Sequence, residues 1–354
     1  MILRDLLRVL GSHRRDGRNL TIDEAHRAFA TILSGSESEI QVGAFLIALR
    51  WKGVTVEELV GFARAARERA VIPCQGLAGL VTLCPPHEGY DRVPPLEVVS
   101  GLIAASAGAR VLIISDRCVP PRRGLTAISV LEHLGCGATW DPHEAEDWVV
   151  KARFGAVALS GMLPAMLGLR RVRNDIGVRT PLSTVEKLIA PSQSAVVLGA
   201  QGGPVLGTAV EVMQRLGHSS GMAIQGLEGG LVPTLRRRTR GIHLDGPHQI
   251  PMTIDPADFG MGLSEDAELP MFGPPDEGQG TGDNPQLVRA AGEITRAVLA
   301  GDGGPARNSA LLAAAIILRT ARLVPTFAEG VDLATEALDS GAASAILAHL
   351  RELC

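Results

Sequence analysis

The segment VTLCPPHEGYDRVPPLE, residues 81–97, shows how the larger part of this chain folds. An apolar run from Leu80 to Leu83 predicts a buried strand, and a helical pattern starts near Pro95. A strand followed by a loop and a helix is the repeating unit of an α/β protein. In such proteins the loop after a strand binds a ligand anion, through backbone N–H groups and the helix N-terminus.

The loop within this segment lacks most features of a phosphate site. Such loops are glycine-rich, because the backbone must approach the phosphate closely. This loop contains Gly89 alone and prolines at positions 85, 86, 94 and 95. Since proline has no N–H to donate, the sequence predicts a loop that stands where phosphate should bind but does not bind it in the usual way.

The α/β pattern continues along the chain after Pro73. Helical patterns alternate with short apolar runs, which are GLVTLC, ARVLIIS, GAVALS, SAVVLGA, GMAIQG and GIHL. This alternation predicts a mostly parallel sheet. The residues before Pro73 predict only helices, and two of these helices begin with capping-box pairs, Thr21 with Glu24 and Thr55 with Glu58.

The patterns together predict an α/β fold class with two domains. A small all-helical domain comprises residues 1–72 and is completed by helices from about 162–191. A large α/β domain with a mostly parallel central sheet comprises 73–161 and 192–354. Residues 247–285, which are rich in proline, glycine and acid, predict an irregular segment.

Composition narrows the class of protein. Apolar residues make up 46% of the 354 residues and charged residues 20%, enough for a substantial core. No run approaches the ~20 apolar residues of a membrane span, and the N-terminal segment is too charged for a signal peptide. The five cysteines include no C-x-x-C pair. They argue against a disulfide framework or a zinc site and favour a reduced, cytoplasmic setting.

The charge is distributed unevenly. The net charge is −4, from 34 basic and 38 acidic residues, so the total gives no support to a nucleic-acid partner. Residues 255–285 hold no Lys or Arg, and their acids are Asp255, Asp258, Glu265, Asp266, Glu268, Asp276, Glu277 and Asp283. The remainder of the chain is net positive, and nearly all of its cations are arginine. This reflects either mutational bias or a need for bidentate, permanently charged phosphate contacts.

Three strings of this chain resemble the anthranilate phosphoribosyltransferase family, which belongs to glycosyltransferase family 3 and has a nucleoside phosphorylase-like fold. They are LTIDEAHRAFATILSGSESEIQVGAFLIALRWKGVTVEELVGFARAARERA, VRNDIGVRTPLSTVEKLIAP and GPARNSALLAAAIIL, at residues 20–70, 172–191 and 304–318. The resemblance covers almost the whole chain. It implies a small α domain, a large α/β domain and a homodimer through the small domains. Enzymes of the family join an aromatic amine to phosphoribosyl pyrophosphate with the help of magnesium.

The chain departs from the family's pattern at two sites that the chemistry requires. The pyrophosphate loop, Gly-Thr-Gly-Gly-Asp-Gly in the family, reads CPPHEGYDR here. The Asp-Glu pair that holds the metal falls on Leu231 and Val232, which offer no oxygen ligand to magnesium. Glu228 nearby is single, and we interpret it as an exposed loop acid. A Lys-His-Gly-Asn-Arg string becomes IISDR and keeps only Arg117.

A third element of the family's site is retained. Arg173 matches an arginine that meets the anthranilate carboxylate, and Arg179 and Thr180 also match. The alternative role of Arg173 is structural, as a helix-end arginine that pairs with a carboxylate at a domain interface. The ancestral substrate cleft predicted in this way contains Arg173, Arg179, Thr180, Arg117, His87, Tyr90 and Arg92.

The energetic cost of losing the pyrophosphate loop and the metal-binding pair indicates whether the chain can still catalyse the reaction. Loss of one preorganised donor costs ~3 kcal/mol of transition-state stabilisation, and loss of a whole loop and a metal site should remove almost all catalysis. We therefore expect a catalytically silent protein without a cofactor. Magnesium and phosphoribosyl pyrophosphate are required only if the chain is a transferase after all.

The same family has a non-catalytic branch that binds DNA and RNA without strong sequence preference, and this chain resembles that branch more. The resemblance implies a basic groove, for which the candidates are Arg122, Arg123, Arg170, Arg173, Arg236, Arg237, Arg238 and Arg240. The run LRRRTRG is the densest. If it is extended, Arg236, Arg238 and Arg240 project on one side and Arg237 on the other. Arginine also protects sheet edges from aggregation, and Arg14, Arg15 and Arg18 form a weaker group.

The preferred hypothesis is thus a silent phosphoribosyltransferase-like protein that binds single-stranded DNA or RNA, forms a homodimer and contacts no membrane. Aromatic residues make up only 3% of the chain, so phosphate contacts rather than base stacking would supply the binding energy. The alternative is a phosphoribosyl or glycosyl transferase that acts on anthranilate or an altered aromatic substrate. A third possibility is a protein that binds another anion in the old cleft.

Overall fold

The computed structural model of the chain describes residues 2–11, 17–137, 139–271 and 278–354. Arg14, Arg15, Asp276 and Glu277 lie outside these ranges. The strands are β1 Leu80–Cys84, β2 Arg110–Ser115, β3 Phe154–Ala158, β4 Ala195–Gly199, β5 Ser220–Ile224, β6 Thr239–Asp245 and β7 His248–Ile254. The helices are α1 Ile2–Gly11, α2 Ile22–Leu33, α3 Glu39–Lys52, α4 Val56–Arg67, α5 Glu97–Ser106, α6 Ala127–His133, α7 Pro142–Ala152, α8 Leu159–Met162, α9 Ala165–Ile176, α10 Leu182–Val185, α11 Pro204–Arg215, α12 Pro285–Leu299, α13 Pro305–Thr320, α14 Phe327–Asp339 and α15 Ala342–Leu353.

The N-terminal region is helical because its helices begin with strong caps and bury an aromatic core. Both predicted capping boxes are present, with Thr21 at the start of α2 and Thr55 at the start of α4. The ring centroid of Phe62 lies 5.5 Å from that of Phe29 and 6.3 Å from that of Phe45. Helix α9 packs against α3, and α10 packs against α4. The exact domain boundaries stay a prediction.

The seven strands form one sheet in the order β3-β2-β1-β4-β5-β6-β7. Strands β1 to β5 are parallel, and β6 and β7 pair antiparallel at one end. The prediction of a small helical region and a mostly parallel sheet is therefore confirmed. Strand β1 lies between β2 and β4, so the direction of winding changes there.

The prediction that residues 247–285 are irregular throughout is wrong at their start. Strand β7 forms a hairpin with β6 around Gly246, whose φ is +57°. Most β7 residues are exposed or half-buried, and Ile254 at its end is buried. An exposed edge strand lacks the apolar alternation by which a strand is recognised. The described residues after it, up to Asn284, form only short 3-10 turns, at Pro256–Phe259 and Thr281–Asp283.

The sheet brings four loops together at its carboxyl edge. They follow β1, β2, β4 and β5 and comprise residues 85–96, 116–126, 200–203 and 225–238. Ligand sites of open α/β sheets lie at this edge, next to the strand where the winding changes. Among the described helices, none combines the length and the apolar character needed to cross a bilayer.

Candidate functional site

The loop after β1 is buried and tightly packed. His87 and Glu88 are each 1% exposed, and Tyr90 is 2% exposed. Gly89 has a φ of +75°, and a Cβ there would lie 2.4 Å from the carbonyl carbon and oxygen of Gly124. The single glycine of the loop therefore allows it to pack against the loop after β2, rather than to approach a ligand.

The carboxylate of Glu88 forms ion pairs with two arginines, Arg173 and Arg179, that were predicted to line the substrate cleft. Arg173 Nη2 donates to Glu88 Oε1 at 2.8 Å, and Arg179 Nε donates to Glu88 Oε2 at 2.5 Å. Ser183 Oγ donates to the same carboxylate. Burial opposes the ionisation of Glu88, but Arg179 and Arg173 outweigh it and hold the pKa of this carboxyl below its usual value.

Arg173 is enclosed on all sides by groups of the protein itself. Its guanidinium also pairs with Glu186 and donates from Nε to the carbonyl oxygen of Pro120 at 2.8 Å. Only 2% of the residue is exposed. The placement of Arg173 in a nucleic-acid groove is therefore wrong, because no polyanion can reach its guanidinium. The structural alternative, a pairing with internal carboxylates, describes its contacts.

A second carboxylate, that of Glu228 in the loop after β5, occupies the backbone donors of the loop after β1. Its oxygens accept N–H bonds from Asp91 at 2.8 Å, Arg92 at 2.7 Å and Val93 at 3.2 Å. Arg122 Nη1 donates to it at 3.3 Å. The interpretation of Glu228 as an exposed loop acid is thus wrong: its side chain is 17% exposed and holds two loops together.

Glu228 adopts an unusual backbone conformation to reach these donors. Its φ is +51°, in the left-handed region, which costs a non-glycine residue about 1–2 kcal/mol. Such a conformation persists only where the surroundings hold it. The four donors around the carboxylate provide that restraint.

The other arginines predicted for the groove, apart from those in the run LRRRTRG, form internal contacts. Arg122 also binds the Gly89 carbonyl at 2.9 Å and the Asp91 carboxylate at 3.2 Å. Arg170 pairs with Asp116 at 2.6 Å, and Arg123 Nη2 donates to Asn174 Oδ1 at 3.1 Å. From the predicted cleft, Arg117 pairs with Glu132 at 2.7 Å, and Arg92 is exposed.

His87 and Tyr90 belong to the protein core rather than to an open cleft. Burial, aided by Lys187 and Arg173, lowers the pKa of His87 to about 3, so its ring is neutral. Tyr90 Oη donates to Glu97 Oε2 at 3.3 Å. Burial raises the pKa of Glu97 to about 8, so this carboxyl is largely protonated at neutral pH.

The residues at the position of the metal pair do not fit a magnesium ion. Leu231 and Val232 are each 4% exposed and lie in the main hydrophobic core. Their side chains offer no oxygen ligand. Within the part of the chain that the structure describes, no three His, Cys, Asp or Glu side chains come together as a metal site.

A cavity of about 430 Å³ remains between the helical region and the sheet. Its lining includes Arg179 and Thr180 from the predicted cleft, together with Arg50 and Lys187. Lys187 Nζ donates to the carbonyl oxygen of Gly199 at 2.7 Å, and burial lowers the pKa of its ammonium group to about 8. Sequence reasoning did not single out Arg50 or Lys187, although both lie in strings that resemble the family, because the sequence does not show which residues of these strings face one cavity.

A larger cleft of about 1050 Å³ lies beside the loop after β5, and we call it the arginine cleft. It is lined by Gln225, Gly226, Leu227, Glu228, Thr234, Arg236, Arg237, Arg238, Arg240, Thr253 and Asp266. The condition for the alternation of its arginines is not met, because the chain bends at residues 235–237 and β6 begins only at Thr239. All four arginines are exposed and line one cavity.

Three of these arginines have no internal partner. Arg238 pairs with Asp255 at 2.8 Å. In the described ranges, no ion pair or side-chain hydrogen bond involves the guanidinium of Arg236, Arg237 or Arg240. The arginine cleft therefore carries positive charge that is available to a ligand.

Comparison with known proteins agrees with this architecture. The family model described as the helical bundle domain of the glycosyl transferase family matches residues 10–70, and the model of its a/b domain matches residues 96–344. The anthranilate phosphoribosyltransferase of Geobacter sulfurreducens is 31% identical and covers 95% of this chain and 95% of its own. That of Solibacter usitatus is 30% identical and covers 93% of each chain.

Solved structures show the same fold. The crystal structure of anthranilate phosphoribosyltransferase from Thermus thermophilus superposes with a TM-score of 0.81 at 25% identity and covers 99% of this chain and 98% of that chain. The enzyme from Saccharomyces cerevisiae, in complex with PRPP and Mg, has a TM-score of 0.80 at 15% identity, with 99% and 97% coverage. This chain therefore belongs to the glycosyl transferase family that includes the anthranilate phosphoribosyltransferases.

Proposed function

We propose that this member of the family binds the phosphate backbone of single-stranded nucleic acid in the arginine cleft and does not transfer phosphoribosyl groups. One observation carries the proposal: Glu88 and Glu228 neutralise the donors at the sheet edge, whereas Arg236, Arg237 and Arg240 stay free around one cavity. The cationic surface open to a ligand is thus beside the ancestral site rather than in it.

The chemistry of the arginine cleft suits a phosphate backbone. Arginine stays charged and binds phosphate oxygens in a bidentate manner. None of the described lining residues is aromatic, so bases have no ring to stack on. Phosphate contacts position a nucleic acid without reading its sequence. The proposed binding is therefore weakly selective and sensitive to salt.

The test is fluorescence anisotropy of a labelled single-stranded oligonucleotide at about 50 and 200 mM salt. Three phosphate contacts on a single strand predict roughly twentyfold weaker binding at the higher salt. The Arg236→Ala/Arg237→Ala/Arg240→Ala variant should bind weakly at both. The control Arg64→Ala/Arg69→Ala/Arg289→Ala removes equal charge from other exposed surfaces and should bind as the wild type does. Absence of binding at the lower salt would overturn the proposal.

The comparisons favour a second candidate, a phosphoribosyl or glycosyl transferase, because the similar proteins are named as anthranilate phosphoribosyltransferases. The cavity beside Arg179, Thr180 and Lys187 could admit a small aromatic acid. This candidate requires magnesium and phosphoribosyl pyrophosphate. It predicts magnesium-dependent release of pyrophosphate in the presence of anthranilate or another aromatic amine, and loss of that activity in Arg179→Met.

We also propose a homodimer through the helical region. Helix α3 exposes apolar side chains at Ile40 (84%), Ile47 (39%) and Trp51 (92%). Their spacing places them on one side of the helix. An apolar surface of this kind marks an interaction site, and the resemblance to the family implies a second copy as its partner. The cytoplasmic setting stays a prediction.

A further inference from the structure

We infer that Cys136 and Cys354 form a reversible disulfide when the protein meets an oxidant, and that this bond fastens helix α15 to the loop between α6 and α7. Helix α6 ends at His133, so Cys136 lies in the loop that follows it. Cys354 comes directly after the end of α15. Neither cysteine lines the arginine cleft, so this inference is independent of the proposed nucleic-acid binding.

The two sulfur atoms are neighbours in the folded chain. The thiols of Cys136 and Cys354 form a hydrogen bond with each other. The Cys354 sulfur also accepts a hydrogen bond from the backbone N–H of Gly137, the residue after Cys136. Cys136 Sγ in turn lies 4.0 Å from the carbonyl oxygen of Leu347 in α15. Two thiols in mutual contact need only a small shift of their side chains to reach the S–S bond length of about 2.0 Å.

The packing of α15 holds the two thiols together. This helix packs against α5 and α7, and its Leu350 is buried in the main hydrophobic core, which also contains Cys136. Gly135 has a φ of +82°, and a Cβ there would lie 3.3 Å from Arg351 Nε. The loop before Cys136 therefore approaches α15 closely. Because the backbone on both sides is packed, the pairing does not depend on an exposed side chain that happens to lie near.

The other three cysteines are placed differently. Cys118 Sγ donates to Asp283 Oδ1 at 3.0 Å. Cys74 and Cys84 lie in the core cluster that includes the helical region, whereas Cys136 lies in the other cluster. The fold therefore assigns Cys136 to Cys354, a choice that the sequence spacing alone does not make.

The exposures of the two cysteines set the order of the chemical steps, for which we name a peroxide as the oxidant. Cys354 is exposed and Cys136 is buried. The Cys354 thiolate attacks one oxygen of hydrogen peroxide, the O–O bond breaks, and a sulfenic acid and hydroxide form. The Cys136 sulfur gives up its proton and attacks the Cys354 sulfur, the S–O bond breaks, and water leaves. Two thiols and one peroxide thus give one disulfide and two waters, with two electrons passing to the peroxide.

The environment of the thiols makes this oxidation slow at neutral pH. Desolvation raises the pKa of both thiols, that of Cys136 to about 12. Only the thiolate reacts, so the rate should rise about tenfold from pH 7 to pH 8, while Cys354 remains mostly protonated. The bond therefore answers sustained rather than brief oxidation. Once formed, it closes the long loop between positions 136 and 354, which restricts the unfolded chain and stabilises the fold.

The test is mass spectrometry of the protein after treatment with hydrogen peroxide at pH 8 and digestion with trypsin without a reductant. The linked product is the peptide 124–151 joined to the peptide that begins at Glu352, about 2 Da lighter than the two reduced peptides together. The oxidised protein should also melt about 5 °C above the reduced one. A reductant should reverse both changes.

Two matched variants locate the bond. Cys354→Ser changes an exposed residue, so it should fold, and it should lose both the linked peptide and the rise in melting temperature. Cys118→Ser, which removes a half-buried thiol elsewhere, should keep both. A wild-type protein that retains both thiols after peroxide treatment, or that links Cys354 only to a second molecule, would overturn the inference. An equal rise in melting temperature in Cys354→Ser would contradict the stabilising role of the bond.

Discussion

Arg173 lies between the carboxylates of Glu88 and Glu186, and all three residues are at most 3% exposed. An ion pair at this depth is costly to break, because removal of one partner leaves a buried charge. Through these pairs Arg173 links the loop after β1, which carries Glu88, to helix α9. Arg173, which was predicted to bind a substrate, therefore stabilises the fold through internal ion pairs.

Arg173→Ala should lower the free energy of unfolding by about 3 kcal/mol at pH 7, since Glu186 loses its cationic partner and Glu88 loses one of its two. Burial raises the pKa of Glu186 to about 7, so this carboxyl can take up a proton and limit the loss. The measurement is urea denaturation beside Arg171→Ala, an exposed neighbour that should change little. A loss below about 1 kcal/mol would contradict the buried pairing.

Glu97→Gln should make stability less sensitive to a rise in pH between about 4.5 and about 8. The folded protein keeps a proton on Glu97 up to about pH 8, whereas the unfolded chain releases it near its ordinary pKa. Wild-type stability therefore falls as the pH rises between these values, by on the order of 5 kcal/mol from this residue. The variant does not titrate, so its stability relative to wild type should rise between pH 5 and pH 9. Equal offsets at both pH values would be inconsistent with a protonated Glu97.

The sequence predicts both possible roles of Arg173, substrate binding and a structural ion pair, but it does not identify Glu88 and Glu186 as its partners. Glu88 lies 85 residues away along the chain, and the N–H donors of Glu228 lie more than a hundred residues from it. Nothing local to Glu228 shows that it is bound, so it was expected to be exposed. Contacts of this range depend on how the sheet brings its loops together, which the residue pattern alone does not specify.

The loop after β1 acts as one packed element with the loop after β2. Tyr90 N donates to Leu125 O at 2.8 Å, and Gly124 N donates to Glu88 O at 2.7 Å. The strands and helices around these loops were predictable, because buried parallel strands are continuous apolar runs. The exposed strand β7 and the bend before β6 were not, since neither carries an apolar pattern.

Gly89→Ala should disrupt this element. The new Cβ would lie 2.4 Å from backbone atoms of Gly124, and the φ of +75° disfavours any side chain. We expect a loss of about 3 kcal/mol or more, measured as a lower midpoint of urea denaturation. Gly207→Ala in helix α11 is the control, because its Cβ would meet open space and alanine favours helix. Similar midpoints for the two variants would contradict the close packing of the loops.

The exposed apolar side chains of α3, Ile40, Ile47 and Trp51, predict that the whole molecule forms a homodimer. Trp51→Glu should convert a dimer to a monomer, because it places a charge in an interface that would otherwise be apolar. Light scattering coupled to size exclusion measures the mass directly, against a chain mass of 37.2 kDa. Val150→Glu, at another exposed apolar position, should leave the mass unchanged. A wild-type protein that is monomeric at micromolar concentration would contradict the dimer.

The whole molecule keeps the family's architecture while its charges are redistributed. The sheet edge still gathers arginines and backbone donors, but Glu88 and Glu228 satisfy them from within. The composition of the chain, with a net charge of −4, gave no sign of this division between satisfied and free arginines. The division depends on which arginines lie next to carboxylates in the folded chain, and composition does not specify this.

In our proposal the carboxylates of Glu88 and Glu228 occupy the donors that would bind the phosphates of the family's substrate. The most direct measurement is calorimetric titration of phosphoribosyl pyrophosphate with magnesium into the wild-type protein. We expect no saturable binding up to about 1 mM, because Glu88 and Glu228 hold the donors and Leu231 and Val232 offer the metal no ligand. Saturable, magnesium-dependent binding in the micromolar range would contradict this expectation and favour the transferase candidate.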